Sequence, residues 1–481
     1  MAGLKSLVKD TALYGVSSII GRFLNYLLVP IYATAMSAAS GGYGIITVVY
    51  AWTALLMVIL TYGMETTFFR FVNKETEVPE KVYSTVLIMV GSTSLLFVVC
   101  CMLFLHPIAV MMGFGDHPWY VGMMLLVVAM DAFQCIPFAY LRYKKRPIKF
   151  VTLKMFFIVL NILLNLTYYV IMGGSDVFYA FLFNLICTTI VMVLLIPDLR
   201  FRGGFDKALA KKMLNYSYPI LILGVAGILN QVADKIMFGY IYPDHDKAES
   251  QLAVYSACSK IAMIMAMLTQ AFRYAYEPFV FGASRDKDNK EVYAKAMKYF
   301  IIFTLLAFLT VMFYLDILKF ILEPDYWGGL RVVPIVMVAE IFMGIYFNLS
   351  FWYKLIDQTK WGAYFSFTGC AVLVLINILF IPEYGYMACA WGGFAGYAVA
   401  MLLSYFVGQK KYPINYDLRA IGLYVGLAMI LYAIGEWVSI SNLVLRLTFR
   451  TLLLLLFIAY IIKTDLPLSQ IPVINRFIKK K

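Results

Sequence analysis

The chain is poor in the residues that cover a water-soluble protein: Asp, Glu, Lys and Arg make up only 14% of its 481 residues, against 63% hydrophobic. So little charge cannot clothe a soluble globule of this size, which excludes that class at the outset. Histidine is scarcer still, with three copies, His106, His117 and His245, all near the expected outer ends of apolar runs. A membrane O-acyltransferase needs a histidine at mid-depth, and none is there. P-loop, Gly-x-Ser-x-Gly and His-Glu-x-x-His motifs are missing as well, so no enzyme chemistry and no cofactor is expected. Asp244-His245-Asp246 reads as a solvated turn rather than a metal site. Seven cysteines, Cys100, Cys101, Cys135, Cys187, Cys258, Cys370 and Cys389, lie in or beside apolar runs without metal-type spacing. An odd number cannot close a full set of disulfides, and they read as reduced packing residues.

What the chain has in abundance is apolar length. Fourteen mainly hydrophobic stretches recur at about 20 residues, the length that crosses the hydrocarbon core as a helix, whereas barrel strands would be about 10 residues with alternating polarity. The expected fold is therefore all-α and polytopic. Spans are predicted near 11–35, 42–63, 82–105, 118–140, 151–172 and 176–197, then near 216–241, 252–281, 297–321, 330–352, 361–381, 385–407, 417–436 and 443–462.

With the N-terminus inside, the inner loops collect Lys5 and Lys9, Arg70 to Lys81, Arg142 to Lys154, Arg200 to Lys212, Arg285 to Lys298, Lys354 and Lys360, Lys410 to Arg419 and the tail from Lys463. The outer loops are short and hold almost no basic residue beyond Lys247, with Lys319, Arg331 and Arg446 at helix edges. This positive-inside regularity predicts cytoplasmic termini. It also accounts for the net charge of +13, through attraction to anionic inner-leaflet lipids rather than to nucleic acid. The first apolar run is too long for a signal peptide and carries Arg22, so it reads as an uncleaved helix. No built-in ATPase is expected; energy would come from an ion gradient or from consumption of product outside.

Arg22 is the first functional lead. A guanidinium at mid-bilayer costs about 2.5–3.5 kcal/mol even on lenient insertion scales, so it should face protein or a water-filled cavity. Internal repetition is the second. Gly42-Tyr43-Gly44 opens the second span and Val254-Tyr255-Ser256 the eighth, an offset of six helices that preserves orientation and suggests parallel repeats around a cavity. The basic loop 198–215, with Arg200, Arg202, Gly203, Gly204, Lys207, Lys211 and Lys212, falls at the boundary, with a short amphipathic helix expected at its end. The expected organisation is a six-helix lobe over 1–200, a second over 201–411 with the linker at its start, and 412–481 as the last two helices with a basic tail.

Four segments carry a resemblance: Gly21-Arg22-Phe23-Leu24-Asn25-Tyr26-Leu27-Leu28-Val29-Pro30, Asn230-Gln231-Val232-Ala233-Asp234-Lys235, Tyr255-Ser256-Ala257-Cys258-Ser259-Lys260-Ile261-Ala262, and Gln270-Ala271-Phe272 through Glu277-Pro278-Phe279. In length, topology and these motifs the chain resembles the polysaccharide-transporter branch of the multidrug/oligosaccharidyl-lipid/polysaccharide (MOP) exporter superfamily. The resemblance implies two lobes around a cationic cavity lined largely by helices 1, 2, 7 and 8. It also implies movement of an undecaprenyl-pyrophosphate-linked saccharide from the inner to the outer leaflet by alternating access.

Physical chemistry supplies a reason, because the charged pyrophosphate is what lipid resists most, and Arg and Lys are its natural partners. The candidates on the lining helices are Arg22, Lys235, Lys260 and Arg273. Two have a structural alternative: Arg273 could pair with Glu277 at i,i+4, and Lys235 with Asp234 or another helix. Lys260 has no acidic residue within one turn and Arg22 none within two, which favours the cavity for both. Asn25, Tyr26, Asn230, Gln231, Tyr255 and Gln270 could meet sugars, though such amides in lipid equally well bridge helices. Asp131, Asp234 and Glu340 are candidates for coupling to H+ or Na+, or for counter-ions. Pro30, Pro137, Pro219 and Pro334 are candidate flex points. The expected partners are a lipid-linked oligosaccharide, membrane lipids and, further off, polysaccharide assembly proteins. A drug or cation antiporter of the same superfamily is the competing reading and would favour a carboxylate-rich cavity.

Overall fold

The computed structural model describes residues 24, 27–74, 77–199, 201, 203–283, 289–356, 358 and 360–465, without the side chains of 274–283 and 289. No strand occurs among them, and thirteen helical segments are long and apolar enough to cross a bilayer. These thirteen coincide with the second to fourteenth expected spans. The first expected span falls mainly outside the described residues; within its described part, Leu28–Ala35 is α-helical. The protein is thus an all-α, multi-pass membrane protein, folded as two compact units.

One unit comprises 1–260, 322–329 and 366–396. Its helices are α1 (Leu28–Ala35), α2 (Gly42–Thr61), α3 (Met64–Val72), α4 (Pro79–Leu103), α5 (Leu105–Met111), α6 (Pro118–Tyr143), α7 (Pro147–Asn165), α8 (Val177–Leu195), α9 (Lys207–Ile241) and the start of α10 (His245–Ala283). Their beginnings follow local chemistry. Pro79, Pro118 and Pro147 occupy first turns, where a missing N–H breaks no helical bond. Asp176 caps α8 at the Phe178 N–H (2.9 Å), and Asp206 caps α9 at the Ala208 and Leu209 N–H groups (2.9 and 3.0 Å).

The second span is longer than expected. Tyr62 and Gly63 turn left-handed (φ 33° and 71°), and α3 then continues to Val72, carrying Glu65 to an ion pair with Arg142 of α6. The basic linker's amphipathic turn and the seventh span merge into α9, which passes through Pro219 without interruption; Pro137 likewise lies inside α6. Pro30 sits in the first turn of α1. α6 is the most buried of the thirteen spans. It presents Ile136, Ala139 and Tyr140 to a core formed with Met64 and Phe68 of α3, Val82, Tyr83, Val86 and Leu87 of α4, and Met213 of α9. Tyr83 and Tyr140 stack there at 4.0 Å.

The other unit comprises 261–321, 330–365 and 397–481. It holds the rest of α10, then α11 (Asn289–Phe313), α12 (Leu315–Leu318), α13 (Val333–Leu349), α14 (Phe351–Leu355), the start of α15 (Lys360–Tyr384), most of α16 (Tyr386–Lys411), α17 (Leu418–Trp437) and α18 (Leu443–Thr464). Pro334 lies in the first turn of α13. Trp352 is buried among Tyr346, Tyr353, Phe365 and Ala400, and its indole N–H is met by the Ser404 carbonyl (3.1 Å). The last two helices are tied to α11 and α12 at both ends. At one end the buried Arg450 guanidinium reaches Asp316 (3.0 Å) and Glu436 (2.8 Å), and Arg446 also reaches Asp316 (2.9 Å). At the other, Asp465 accepts from Lys298 of α11 and from the Tyr424 hydroxyl of α17.

Burial alone would raise the Asp465 carboxyl, but the Lys298 and Tyr424 hydrogen bonds more than offset it and hold it below the usual carboxylate range. A depressed native value adds stability that is present above the unfolded value, about 3.9, and is lost as pH falls through the lower native one. The melting temperature of the native chain in detergent is therefore expected to drop on acidification below about pH 4. Asp465→Asn should melt lower at neutral pH and show a smaller acid-side drop, so parallel pH curves for the two would contradict the clamp.

Candidate functional site

Several of the candidate residues come together where α9 faces the first half of α10. Asp234 is buried, and its carboxylate is held from two sides: the Lys235 ammonium lies 3.0 and 3.1 Å from its oxygens, and the Tyr255 hydroxyl donates at 2.8 Å. The same ammonium donates to the Gln231 carbonyl at 3.0 Å and sits 5.7 Å from the Tyr255 ring centre. Adjacent residues on a helix do not share a face, so the contact requires the long Lys235 stem to fold back along α9. Asp234 is therefore placed as the counter-ion of Lys235, and Tyr255 as the residue that orients the carboxylate.

Lys260 lies one and a half turns beyond Tyr255, half-buried. It makes no hydrogen bond or ion pair with any described residue. Two ammonium groups against one carboxylate leave the cluster with a net positive charge. Asn230 is buried, and its amide donates to the Ala226 carbonyl (3.0 Å) and the Ser366 carbonyl on α15 (2.9 Å), which is the helix-bridging arrangement. Gln231 is exposed and Gln270 half-buried.

Arg273 belongs to the other unit and stacks its guanidinium over the Phe347 ring at 4.9 Å. The Glu277 side chain, its expected i,i+4 partner, lies outside the described side chains, as Arg22, Asn25 and Tyr26 lie outside the described residues. Asp131 is half-buried in α6, and Glu340 is half-buried on α13.

A buried polar network on α1, α2, α6, α7 and α8 escaped the sequence reading. The Tyr32 hydroxyl donates to Asn165 (2.9 Å), whose amide donates to the Asn161 carbonyl (2.7 Å) and side chain (3.0 Å). The Asn184 amide donates to the Tyr50 hydroxyl (2.7 Å), and the Gln134 amide to the Thr188 carbonyl (3.1 Å). The available signal was the i,i+4 spacing of Asn161 with Asn165 and of Asn184 with Thr188 inside otherwise apolar spans, which puts two polar groups on one buried face.

A second constellation joins the helix ends that the charge bias assigns to the outside. Asp325 accepts from the Ala38 N–H (2.6 Å), the Tyr326 hydroxyl donates to the Met36 carbonyl (2.7 Å), and the Cys258 thiol meets the Tyr326 carbonyl (3.2 Å). The glycines of this loop have distinct reasons. Gly41 adopts φ 68°, and a Cβ on Gly44 would stand 2.1 Å from the Glu249 carbonyl oxygen. The Gly42-Tyr43-Gly44 segment is thus the seat on which the start of α10 packs against α2.

Removing the hydroxyl from the Asp234 cluster leaves a buried carboxylate short of one donor. Tyr255→Phe is expected to lower unfolding stability by about 1.5–3 kcal/mol, the range for a hydrogen bond to a charged group, read as a fall in melting temperature of the detergent-solubilised chain. An unchanged melting temperature would show the contact to be energetically idle.

With this geometry in hand, similarity to known proteins takes on residue-level meaning. The family described as "Polysaccharide biosynthesis protein" matches residues 7–275, and the MatE family matches residues 246–380. No curated protein is a significant match. The fold is similar to the lipid II flippase MurJ in an inward closed conformation, at 14% identity, with a TM-score of 0.73 over 95% of this chain and 99% of that one. It is also similar to a multidrug resistance MATE family transporter of the MOP superfamily in an inward-facing conformation, at 12% identity, with a TM-score of 0.67 over 81% of this chain and 94% of that one. The first match spans more than half of the 481 residues and contains the Asp234, Lys235, Tyr255 and Lys260 cluster, so the chain belongs to the polysaccharide biosynthesis protein family, with the fold of the MOP exporters.

Proposed function

We propose that this protein is a flippase for an anionic polyprenyl-pyrophosphate-linked oligosaccharide, moving it from the inner to the outer leaflet by alternating access. It does so in the bacterial inner membrane with both termini cytoplasmic, for surface polysaccharide such as O-antigen, capsule or exopolysaccharide. The observation that carries this reading is Lys260: a half-buried intramembrane ammonium with no hydrogen-bond or ion-pair partner among the described residues. In a medium that penalises unpaired charge, such a group calls for an anion that comes and goes. A pyrophosphate answers that need, and Lys235 stands ready to exchange Asp234 for it.

Arg22 and Arg273 are assigned to the same cationic path, with Asn25, Tyr26, Gln231 and Gln270 as polar contacts for the glycan. The lobes 1–200 and 201–411 are the alternating halves, and 412–481 rides with the second. The Asp325 to Ala38 and Tyr326 to Met36 bonds are outer ties that each cycle breaks and remakes. Asp131 is the first choice for coupling to H+ or Na+, ahead of Glu340 and of Asp234, which Lys235 already occupies. Fold similarity to a lipid II flippase and the match to a polysaccharide biosynthesis family support the substrate class.

The MatE match over 246–380 favours a second reading, an ion-coupled antiporter of drugs or other small molecules. The test is flipping of fluorescent undecaprenyl-pyrophosphate oligosaccharide in proteoliposomes, with folded protein matched by monodispersity. Lys260→Ala is expected to flip at least about tenfold more slowly than the native chain, the effect of losing about 1.4 kcal/mol of interaction, and Lys260→Arg to recover part of the rate. Native-rate flipping by Lys260→Ala would remove the residue from the path. A native chain that does not flip but expels a cationic dye under an imposed ion gradient would establish the antiporter instead.

A further inference from the structure

The most basic described turn of the protein lies far along the chain from the α9 and α10 cluster, between α6 and α7. There Lys145, Arg146, Pro147, Ile148, Lys149, Thr152 and Leu153 surround an open cleft of about 510 Å³. Three of its seven walls are cations, and their placement is built rather than incidental. Arg146 and Lys149 share the buried carboxylate of Asp198. The Asp198 carbonyl in turn accepts from the buried Tyr83 hydroxyl at 2.9 Å. Lys145 adopts the left-handed conformation (φ 53°), and its N–H closes the turn on the Arg142 carbonyl at 3.1 Å. Glycine or asparagine is the ordinary occupant of such a position, and a lysine pays a conformational penalty to stand there. Lys145 makes no ion pair with any described residue, so the cleft holds three cations to one carboxylate.

The surroundings say what kind of anion fits. Ile148 is 77% exposed at the rim, and from it Phe156, Val159, Leu163 and Val170 follow at helical spacings of three, four, seven and eight residues along α7 and its continuation, all exposed. An exposed apolar stripe inside a membrane span faces acyl chains. A cationic cradle at the foot of that stripe, on the side that the charge bias assigns to the inner leaflet, matches a molecule with a phosphate at one end and hydrocarbon at the other.

We propose that this cleft is a binding site for the phosphate headgroup of an anionic phospholipid, whose acyl chain lies along the exposed face of α7. The site holds the lobe in the inner leaflet and is separate from the transport path; it stands whether or not the flippase reading does. A free phosphate would use the same cations but gain nothing from the stripe, and this difference separates the two sources.

The full chain in detergent is titrated with palmitoyl-oleoyl phosphatidylglycerol, with palmitoyl-oleoyl phosphatidylcholine and with inorganic phosphate, and bound species are counted by native mass spectrometry. The native chain should prefer phosphatidylglycerol over phosphatidylcholine. That preference should fall about threefold in Lys145→Gln and about tenfold in Lys145→Gln/Arg146→Gln, and stay unchanged in Lys207→Gln/Lys211→Gln, which removes equal charge elsewhere. Millimolar inorganic phosphate should not displace the lipid. Lys145→Gln keeps both partners of Asp198 and decides the matter if the double variant misfolds. A preference that survives Lys145→Gln undiminished, or falls equally in the α9 control, would overturn the site. Displacement by inorganic phosphate would make it a general anion cleft and overturn the lipid assignment.

Discussion

Everything distinctive about this protein follows from the cost of an ionised side chain in hydrocarbon. Water screens and solvates charges for a soluble protein, so its surface ion pairs contribute little. Inside a bilayer each charge has to be neutralised by the protein, held at an interface, or met by a ligand. The chain uses the first solution repeatedly. Asp234 has Lys235 and Tyr255, Arg450 has Asp316 and Glu436, and Asp465 has Lys298 and Tyr424. The turn between α6 and α7 uses the second, with Asp198 gathering Arg146 and Lys149. Lys260 fits neither solution, which is why the proposed function turns on it.

The paired charges also act as joints. Asp316 and Asp465 fasten α17 and α18 to α12 and α11 at opposite ends, so the last two helices are tied to the rest of their unit. At the turn before α2, by contrast, the ties are single hydrogen bonds to backbone atoms, made by Asp325 and Tyr326. The neutral Tyr326 bond contributes about 1 kcal/mol, and the Asp325 bond is made by an exposed carboxylate.

The fold was legible because its determinants are one-dimensional. Apolar length and the alternation of basic loops locate spans without any knowledge of tertiary contacts, and thirteen of the expected fourteen reappear as helices. Helix continuity was harder to read: α3 prolongs the second span past Tyr62 and Gly63, and α9 absorbs the linker's end, because a left-handed pair or a proline marks a break only when packing permits one. The site was legible in residue type and not in partnership. Asp234 and Lys235 were both visible, but that they meet each other depends on a lysine stem folding along the helix. The Tyr32, Asn165 and Asn161 network was missed because a lone Asn in an apolar run carries no motif, and only its i,i+4 repetition reveals a polar face. Lys145 stood in view as one basic residue among many, and its left-handed backbone cannot be read from composition.

The account rests on Lys260 meeting a pyrophosphate, and binding tests that without the complications of transport. The decisive measurement is the affinity of undecaprenyl pyrophosphate, free of sugar, for the purified native chain and for Lys260→Met at matched stability. Binding at least about tenfold weaker in the variant, with the difference shrinking as salt rises, is the predicted result. Equal affinity for the two chains would contradict it, and would return Lys260 to the set of structural charges.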